Sequence, residues 1–248
     1  MFISNAIDPD IHQHHLVEIF ISLNGSLKIK NDGNYYEAKN FIIDADVPHQ
    51  VDSCNNAYAV LLVDSESAIA ERLRKKFIRN GIGILPDDLF NPFHEKINFL
   101  FKKECSIEKA LELHTEIIQH LIGNETDEIS DMDPRIKKII AILQQSYGKK
   151  ISIKELSDKI CLSESRLIHL FSKQVGIPIR RYLLWLRLLD AVNLIINDRS
   201  FTFAAHEAGF SDSAHLSRTF KKMFGLKLLE IFKIYKNSRF IQVRIMQN

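Results

Sequence analysis

Four side chains in the first fifty residues could meet around one ligand. His12-x-His14 is followed by three residues and then Glu18; six more residues lead to Gly25, and His49 comes later, after Val47-Pro48. Imidazole and carboxylate donors in this mixture suit Zn, Fe, Mn or Ni. The same groups can instead serve as hydrogen-bonding residues in a pocket for a small organic molecule. Ligand-like clusters are common without metal, so an effector pocket is the preferred reading of His12, His14, Glu18 and His49, with no resident cofactor, and a divalent metal is the alternative. No nucleophile triad and no phosphate-binding loop accompanies them, so the chain is not read as an enzyme.

These residues need a scaffold, and the flanking sequence supplies short strands. Val17 to Leu23 ends at Asn24-Gly25, a hairpin dipeptide. Ser26 to Lys30 alternates apolar and polar residues, and Asn31-Asp-Gly-Asn34 turns. Tyr35 to Ala38, Phe41 to Asp44 and Tyr58 to Val63 add strands. Strands at this spacing predict a small barrel or sandwich over residues 1–64. From 65 to 124 the period becomes helical, through Ile69, Leu73 and Phe77, then Phe90, Phe93, Ile97, Leu100 and Phe101 after Pro86, then Ile107, Ala110, Leu111, Ile117, Ile118 and Leu121. Those stripes either pack on the barrel or build a dimer interface. The polar, acidic run around 125–133 reads as a linker.

Charge divides the chain. Residues 134–248 carry 21 Lys and Arg against 8 Asp and Glu, a net of +13, whereas residues 1–133 carry 12 against 23, a net of −11. Only the second part is suited to a polyanion. Cys54, Cys105 and Cys161 show neither metal spacing nor a disulfide framework, which fits a reducing compartment. The N-terminus lacks a basic segment and carries Asp8 and Asp10, and no apolar run reaches 18 residues, so the expectation is a cytoplasmic protein with no membrane span.

Residues 134–248 hold two copies of one pattern. The first runs from Ile151 to Phe171 and closes at Gly176; the second runs from Ser200 to Phe220 and closes at Gly225. Each reads as helix, turn, cap and second helix. In the first copy Leu167, Leu170 and Phe171 form the buried side, and Ser165, Ile168, His169 and Ser172 share the opposite face. Ser165 and His169 can hydrogen-bond to base edges, and Ile168 suits a thymine methyl. In the second copy Ser213, Ala214, Ser217, Arg218 and Lys221 point outward. Arg218 can bind guanine in a bidentate manner, while Lys221 and Lys222 suit phosphates. Between the copies, Pro178 to Asn197 predicts a helix of roughly 30 Å at about 1.5 Å per residue, close to the ~34 Å of one DNA turn. Arg180 and Arg181 sit at its N-terminus, where charge and dipole favour phosphate.

Leu162-Ser163, Leu167, Leu170-Phe171, Gly176, Tyr182, Arg187-Leu188 and Ala191 in the first half, with Ala205, Gly209-Phe210-Ser211-Asp212, Leu216-Ser217-Arg218, Phe220-Lys221-Lys222 and Gly225 in the second, resemble the DNA-binding domain of AraC-type (AraC/XylS) transcription regulators. The His/Glu pattern resembles the first metal motif of cupin barrels, as found in the sensor domains of many such regulators, where it often persists without metal. Departures are Asp44 and Asp46 in place of Pro and Gly, Cys161 in place of a frequent Gly, Phe203 in place of a common acidic residue, and Lys227-Leu228 after Gly225 in place of Ser-Pro. The resemblance implies an α+β chain: a cupin-like β sensor domain (1–64), a helical dimerisation segment (65–124), a linker (125–133) and an all-α domain with two helix-turn-helix motifs joined by a long helix (134–248). It also implies a sequence-specific regulator of double-stranded DNA, homodimeric and controlled by a small-molecule effector. A cupin metalloenzyme fused to a helical interaction module is the alternative.

Overall fold

The computed structural model describes residues 2–5, 8–102, 107–123, 132–145, 151–230 and 232; for 2–5, 101, 102, 107, 108 and 111 it describes the backbone only. Cys105, most of the 125–133 linker, and Gly148 to Lys150 lie outside the described residues. The chain divides into two compact units, one of residues 1–129 with 221–248 and the other of residues 130–220.

The first unit is built on strands β1 (Phe2–Asn5), β2 (Leu16–Ser22), β3 (Leu27–Asn31), β4 (Asn34–Ala38), β5 (Asn40–Ile43), β6 (Gln50–Asp52), β7 (Ala57–Asp64) and β8 (Ile82–Leu85). They form a five-stranded sheet in the order β1-β7-β2-β5-β8 and a three-stranded sheet in the order β4-β3-β6. Their pairings are antiparallel. Helices α1 (Ala68–Phe77), α2 (Asn91–Lys102) and α3 (Ile107–Ile122) complete the unit.

β2, at the centre of the large sheet, is dry on both faces. All seven of its residues are buried. Val17, Ile19 and Ile21 share a core with Leu73, Phe93, Ile97, Leu113, Ile117 and Ile118 of the helices. Phe20 joins a second core with Leu27, Ile29, Phe41, Val51 and Tyr58, drawn from both sheets. Because side chains alternate along a strand, Glu18 shares the face of Phe20 and points between the sheets. Of the helical stripes, Leu73, Phe93, Ile97, Leu100, Ile117 and Leu121 are buried in the core beneath the sheet.

Two expectations change. Asn24-Gly25 does not close a hairpin, because β2 pairs with β5 and β7 while β3 pairs with β4 and β6. The turn carries the chain from one sheet to the other, with Gly25 at φ 76° and the Asn56 side chain 2.7 Å from where its Cβ would stand. The hairpin dipeptide is Asp32-Gly33, with φ of 45° and 82°, the left-handed pair that a two-residue loop between β3 and β4 requires. Second, the segment read as purely helical contains β8, which adds to β5. Pro86 therefore follows a strand, and α2 begins only at Asn91. Four residues are too few to display a period.

The second unit holds α4 (Pro134–Gln144), α5 (Ile153–Lys159), α6 (Glu164–Val175), α7 (Ile179–Ile196), α8 (Phe201–Glu207) and most of α9 (Ser213–Phe224). Asp133 caps α4 with Pro134 in its first turn. Ser152 and Glu155 make a reciprocal capping box on α5, satisfying two backbone donors at once. Ile136, Ile139, Leu143, Leu156, Leu167, Phe171, Ile179 and Tyr182 form one core. No helix of the described residues is long and apolar enough to cross a membrane.

Candidate functional site

Two groups of residues are placed to do chemistry, one in the β-sheet unit and one on the helix-turn-helix copies. The first group is the set His12, His14, Glu18 and His49. All four are buried, and one donor atom from each lies within 4.8 Å of the others. His12 and His49 face each other across an isolated bridge, each backbone N–H donating to the other's carbonyl at 2.9 Å. Glu18 reaches up from β2, its carboxylate oxygens 3.0 Å from His14 Nε2 and 2.9 Å from His49 Nε2.

Charge follows from this geometry. Burial pushes the His12 imidazole down to about 4, with the neighbouring His49 adding to the effect, so His12 is a neutral donor at pH 7. Burial works to raise the Glu18 carboxyl, but the charge and hydrogen bond of His14 and the hydrogen bond of His49 hold it well below the carboxylate range. His49 is lowered by burial yet raised overall by its bond to Glu18. The result is an ionised carboxylate held between two imidazoles.

The set fits a first-row divalent ion. Donors on an octahedral ion with bonds of about 2.1 Å stand roughly 3 Å apart when adjacent and 4.2 Å when opposite, so only a small contraction is required. Three imidazoles and one carboxylate suit Zn, Fe, Ni or Mn. His12 and His49 are oriented by bonds from the other ring nitrogen to the carbonyls of Asp10 (2.9 Å) and Val47 (2.8 Å), the support that metal-ligating imidazoles commonly have.

Beside this set lies a group that sequence reasoning missed. His15 is 4% exposed. Its Nδ1 lies 2.5 Å from Asp46 Oδ2, and its Nε2 bonds to Glu66. Burial opposes its charge, but the hydrogen bonds to Asp46 and Glu66 carry it up to about 9. Asp46 also occupies left-handed backbone, φ 61°, which explains its position where the cupin motif has Gly. Asp44, the other departure, accepts from Arg74 Nε at 2.7 Å. The partners of His15 are 31 and 51 residues away, so no local spacing announces them; the substitution at Asp46 was the available signal.

In the second unit the two copies share a backbone. Ser163 caps α6 through Arg166 N–H, and Asp212 caps α9 by accepting from His215 N–H at 2.6 Å. The second turn is one residue longer, with Ser211 between Phe210 and the cap. α7 runs 18 residues, about 27 Å at 1.5 Å per residue, two residues shorter than expected because Pro178 is its N-cap and Asn197 its C-cap. Ser165, Ile168 and His169 are exposed on α6 and Ser172 is half-buried. On α9, Ala214, Arg218, Lys221 and Lys222 are exposed, and Ser213 and Ser217 are half-buried. Ser217 Oγ donates to the Ser213 carbonyl at 2.8 Å, which ties up its proton. Arg180 is exposed and Arg181 half-buried at the start of α7. Arg166 and Lys173, also exposed on α6, were not singled out in the sequence; their charge on the open side was the signal.

Residues 156–233 match the family model described as a helix-turn-helix domain. Over 118 residues the chain is 32% identical to the HTH-type transcriptional activator RhaS of Yersinia pestis (strain Pestoides F), covering 45% of this chain and 43% of that protein. The chain thus matches less than half the length of the curated relatives it resembles. Its fold as a whole is similar to ToxT from Vibrio cholerae O395, with TM-score 0.61, 13% identity and coverage of 94% of this chain and 95% of that one. A structure of ToxT from Vibrio cholerae strain SCE256 bound to an unsaturated fatty acid aligns with TM-score 0.55 at 10% identity, over 93% and 92% of the two chains. The mixed fold, antiparallel sheets followed by a helical helix-turn-helix region, is that two-domain architecture.

Proposed function

We propose that the protein is a sequence-specific, DNA-binding transcription regulator whose N-terminal barrel binds a small effector. The observation that carries this reading is the pair of capped, similarly turned helix-turn-helix copies joined by α7, each with an exposed polar or basic face. Arg218 reads a base, with Ser165, Ile168 and His169 as the other reading residues, and Lys221, Lys222, Arg180 and Arg181 contact phosphates. The relatives it matches are transcriptional activators, and the +13 charge of residues 134–248 supplies the non-specific attraction expected of such a domain. The reading extends to a homodimer acting on double-stranded DNA in the cytoplasm. Selection of bound fragments from genomic DNA, followed by titration at fixed salt, tests it; equal affinity for selected and scrambled sequences in every effector state would sink it.

The burial and convergence of His12, His14, Glu18 and His49 favour a second statement, that the effector is a divalent transition-metal ion. Such an ion would hold donor groups from β2 and from both bridged segments together. Equilibrium dialysis against Zn(II), Ni(II), Mn(II) and Fe(II) tests it, and stoichiometry near zero for all four would end it. The metalloenzyme alternative uses the same four residues, but the match of residues 156–233 to a helix-turn-helix domain favours regulation.

A further inference from the structure

His14 and His15 are adjacent, yet their rings serve different groups. His14 meets Glu18 inside the barrel; His15 meets Asp46 and Glu66. Asp46 closes the circuit, since its backbone N–H donates to the His14 carbonyl at 2.8 Å while its carboxylate takes the His15 ring. Any shift of His14 on gaining a ligand therefore moves both ends of the Asp46 contact.

Glu66 immediately precedes Ser67, the N-cap of α1. Ser67 is itself pinned to the end of β7, donating through N–H and Oγ to the Asp64 carbonyl at 3.0 and 2.7 Å. A second tie lies one helical stretch on. The Arg74 guanidinium holds Asp44 at 2.7 Å, the Ser65 carbonyl at 2.8 Å and Ser65 Oγ at 2.6 Å. Asp44 and Asp46 stand in the same loop that delivers His49. α1 is thus anchored at its start and in its last turn to the segments that carry three of the four donors. Its buried residues, Ala70 and Leu73, pack in the core shared with α3.

Buried ion groups of this kind are weak devices for stability, because desolvation offsets their attraction. They are strong devices for geometry: breaking one strands a buried charge, so the partners move together. We propose that His15, with Asp46 and Glu66, is the link that couples ligand capture at the four-donor cluster to helix α1, and through α1 to the helical layer on the sheet. His15 is a positioning residue here, since it touches no ligand. The link rests on the reading of the cluster as a metal site, and the test separates the two.

The full chain is titrated with Co(II), whose visible absorption reports the cluster, and amide hydrogen exchange is followed across residues 68–77 with and without the ion. In the unaltered protein the absorption band develops and exchange in α1 slows by about fivefold or more, the response of a segment whose local opening is suppressed. Glu66→Gln keeps the His15–Asp46 contact and removes the charged tie to α1. It binds Co(II) within about threefold of the unaltered protein, but the slowing in α1 falls below about twofold. His15→Gln behaves alike; Glu66→Gln decides the matter should His15→Gln fail to fold. Full slowing of α1 in Glu66→Gln overturns the link, as does a Co(II) band in the unaltered protein with no change in α1. Absence of any band in the unaltered protein overturns the metal reading, and the link falls with it.

Discussion

Cys161 and Gly209 occupy the same backbone slot in the two helix-turn-helix copies. Both are left-handed, at φ 54° and 80°. Each is followed by a residue whose N–H reaches back to a carbonyl five positions earlier, Leu162 to Ser157 at 3.1 Å and Phe210 to Ala205 at 2.8 Å. The turn that ends α5 and the turn that ends α8 are thus one structure built twice, once with a residue that tolerates the conformation and once with one that does not.

A Cβ in left-handed backbone costs roughly 1–2 kcal/mol, while glycine gives back part of that through its greater freedom when unfolded. Cys161→Gly is accordingly expected to stabilise the protein by about 0.5–1 kcal/mol, and Gly209→Ala to destabilise it by about 1 kcal/mol or more. Urea unfolding followed by far-ultraviolet circular dichroism measures both. A loss of stability in Cys161→Gly would show that the thiol makes contacts worth more than the strain.

The two turns also show what was legible in the sequence. The helix-turn-helix copies declare themselves through local signals: the closing glycines Gly176 and Gly225 and the apolar faces of α6 and α9. Every one of these acts within a few residues, so a linear pattern records it. The two-sheet unit is less local. His12, His14, Glu18 and His49 were visible because a known spacing groups them, but the His15 link joins positions far apart in the chain. β8 was invisible for another reason. Gly83 sits there because a Cβ would stand 2.1 Å from the Phe77 carbonyl, a tertiary constraint that resembles an ordinary loop glycine in sequence.

Ile168 and Arg218 make separable predictions about DNA. Arg218→Ala should cost about 1–3 kcal/mol of specific binding and relax preference at one base. Ile168, an apolar side chain left 36% exposed, is expected to meet a thymine methyl. Replacing that thymine by uracil should weaken the unaltered protein and leave Ile168→Ala unchanged. Fluorescence anisotropy over a set of single-base variants reads both effects, and identical sensitivity to uracil in the two proteins would remove Ile168 from the reading face.

The donor cluster predicts linked stability. An ion held only by the folded chain adds about 2.7 kcal/mol when present at 100 times its dissociation constant, so Zn(II) should raise the unfolding midpoint of the unaltered protein. His49→Ala removes one donor and the partner of Glu18 Oε2, and its midpoint should no longer respond to Zn(II). An equal rise in both proteins would place the ion elsewhere.

His114 predicts a pH dependence of known sign. It lies on α3, 4% exposed, and burial holds its imidazole down to about 3 against an ordinary value of 6.5. The folded protein keeps it neutral, whereas the unfolded chain protonates it below 6.5. Its contribution is therefore fully present above pH 6.5 and is lost as pH falls toward 3, at about 1.4 kcal/mol per pH unit within that window. His12, held at about 4, and the buried carboxylates titrate in parallel, so the measurement is a difference. His114→Leu has no proton to gain there. The stability of the unaltered protein relative to His114→Leu, from guanidinium unfolding at pH 7.5, 6, 5 and 4.5, should be level down to about pH 6 and then decline by about 1.4 kcal/mol per unit. A difference that stays level to pH 4.5 would mean that water reaches the imidazole and that the α3 face against the sheet opens at low cost.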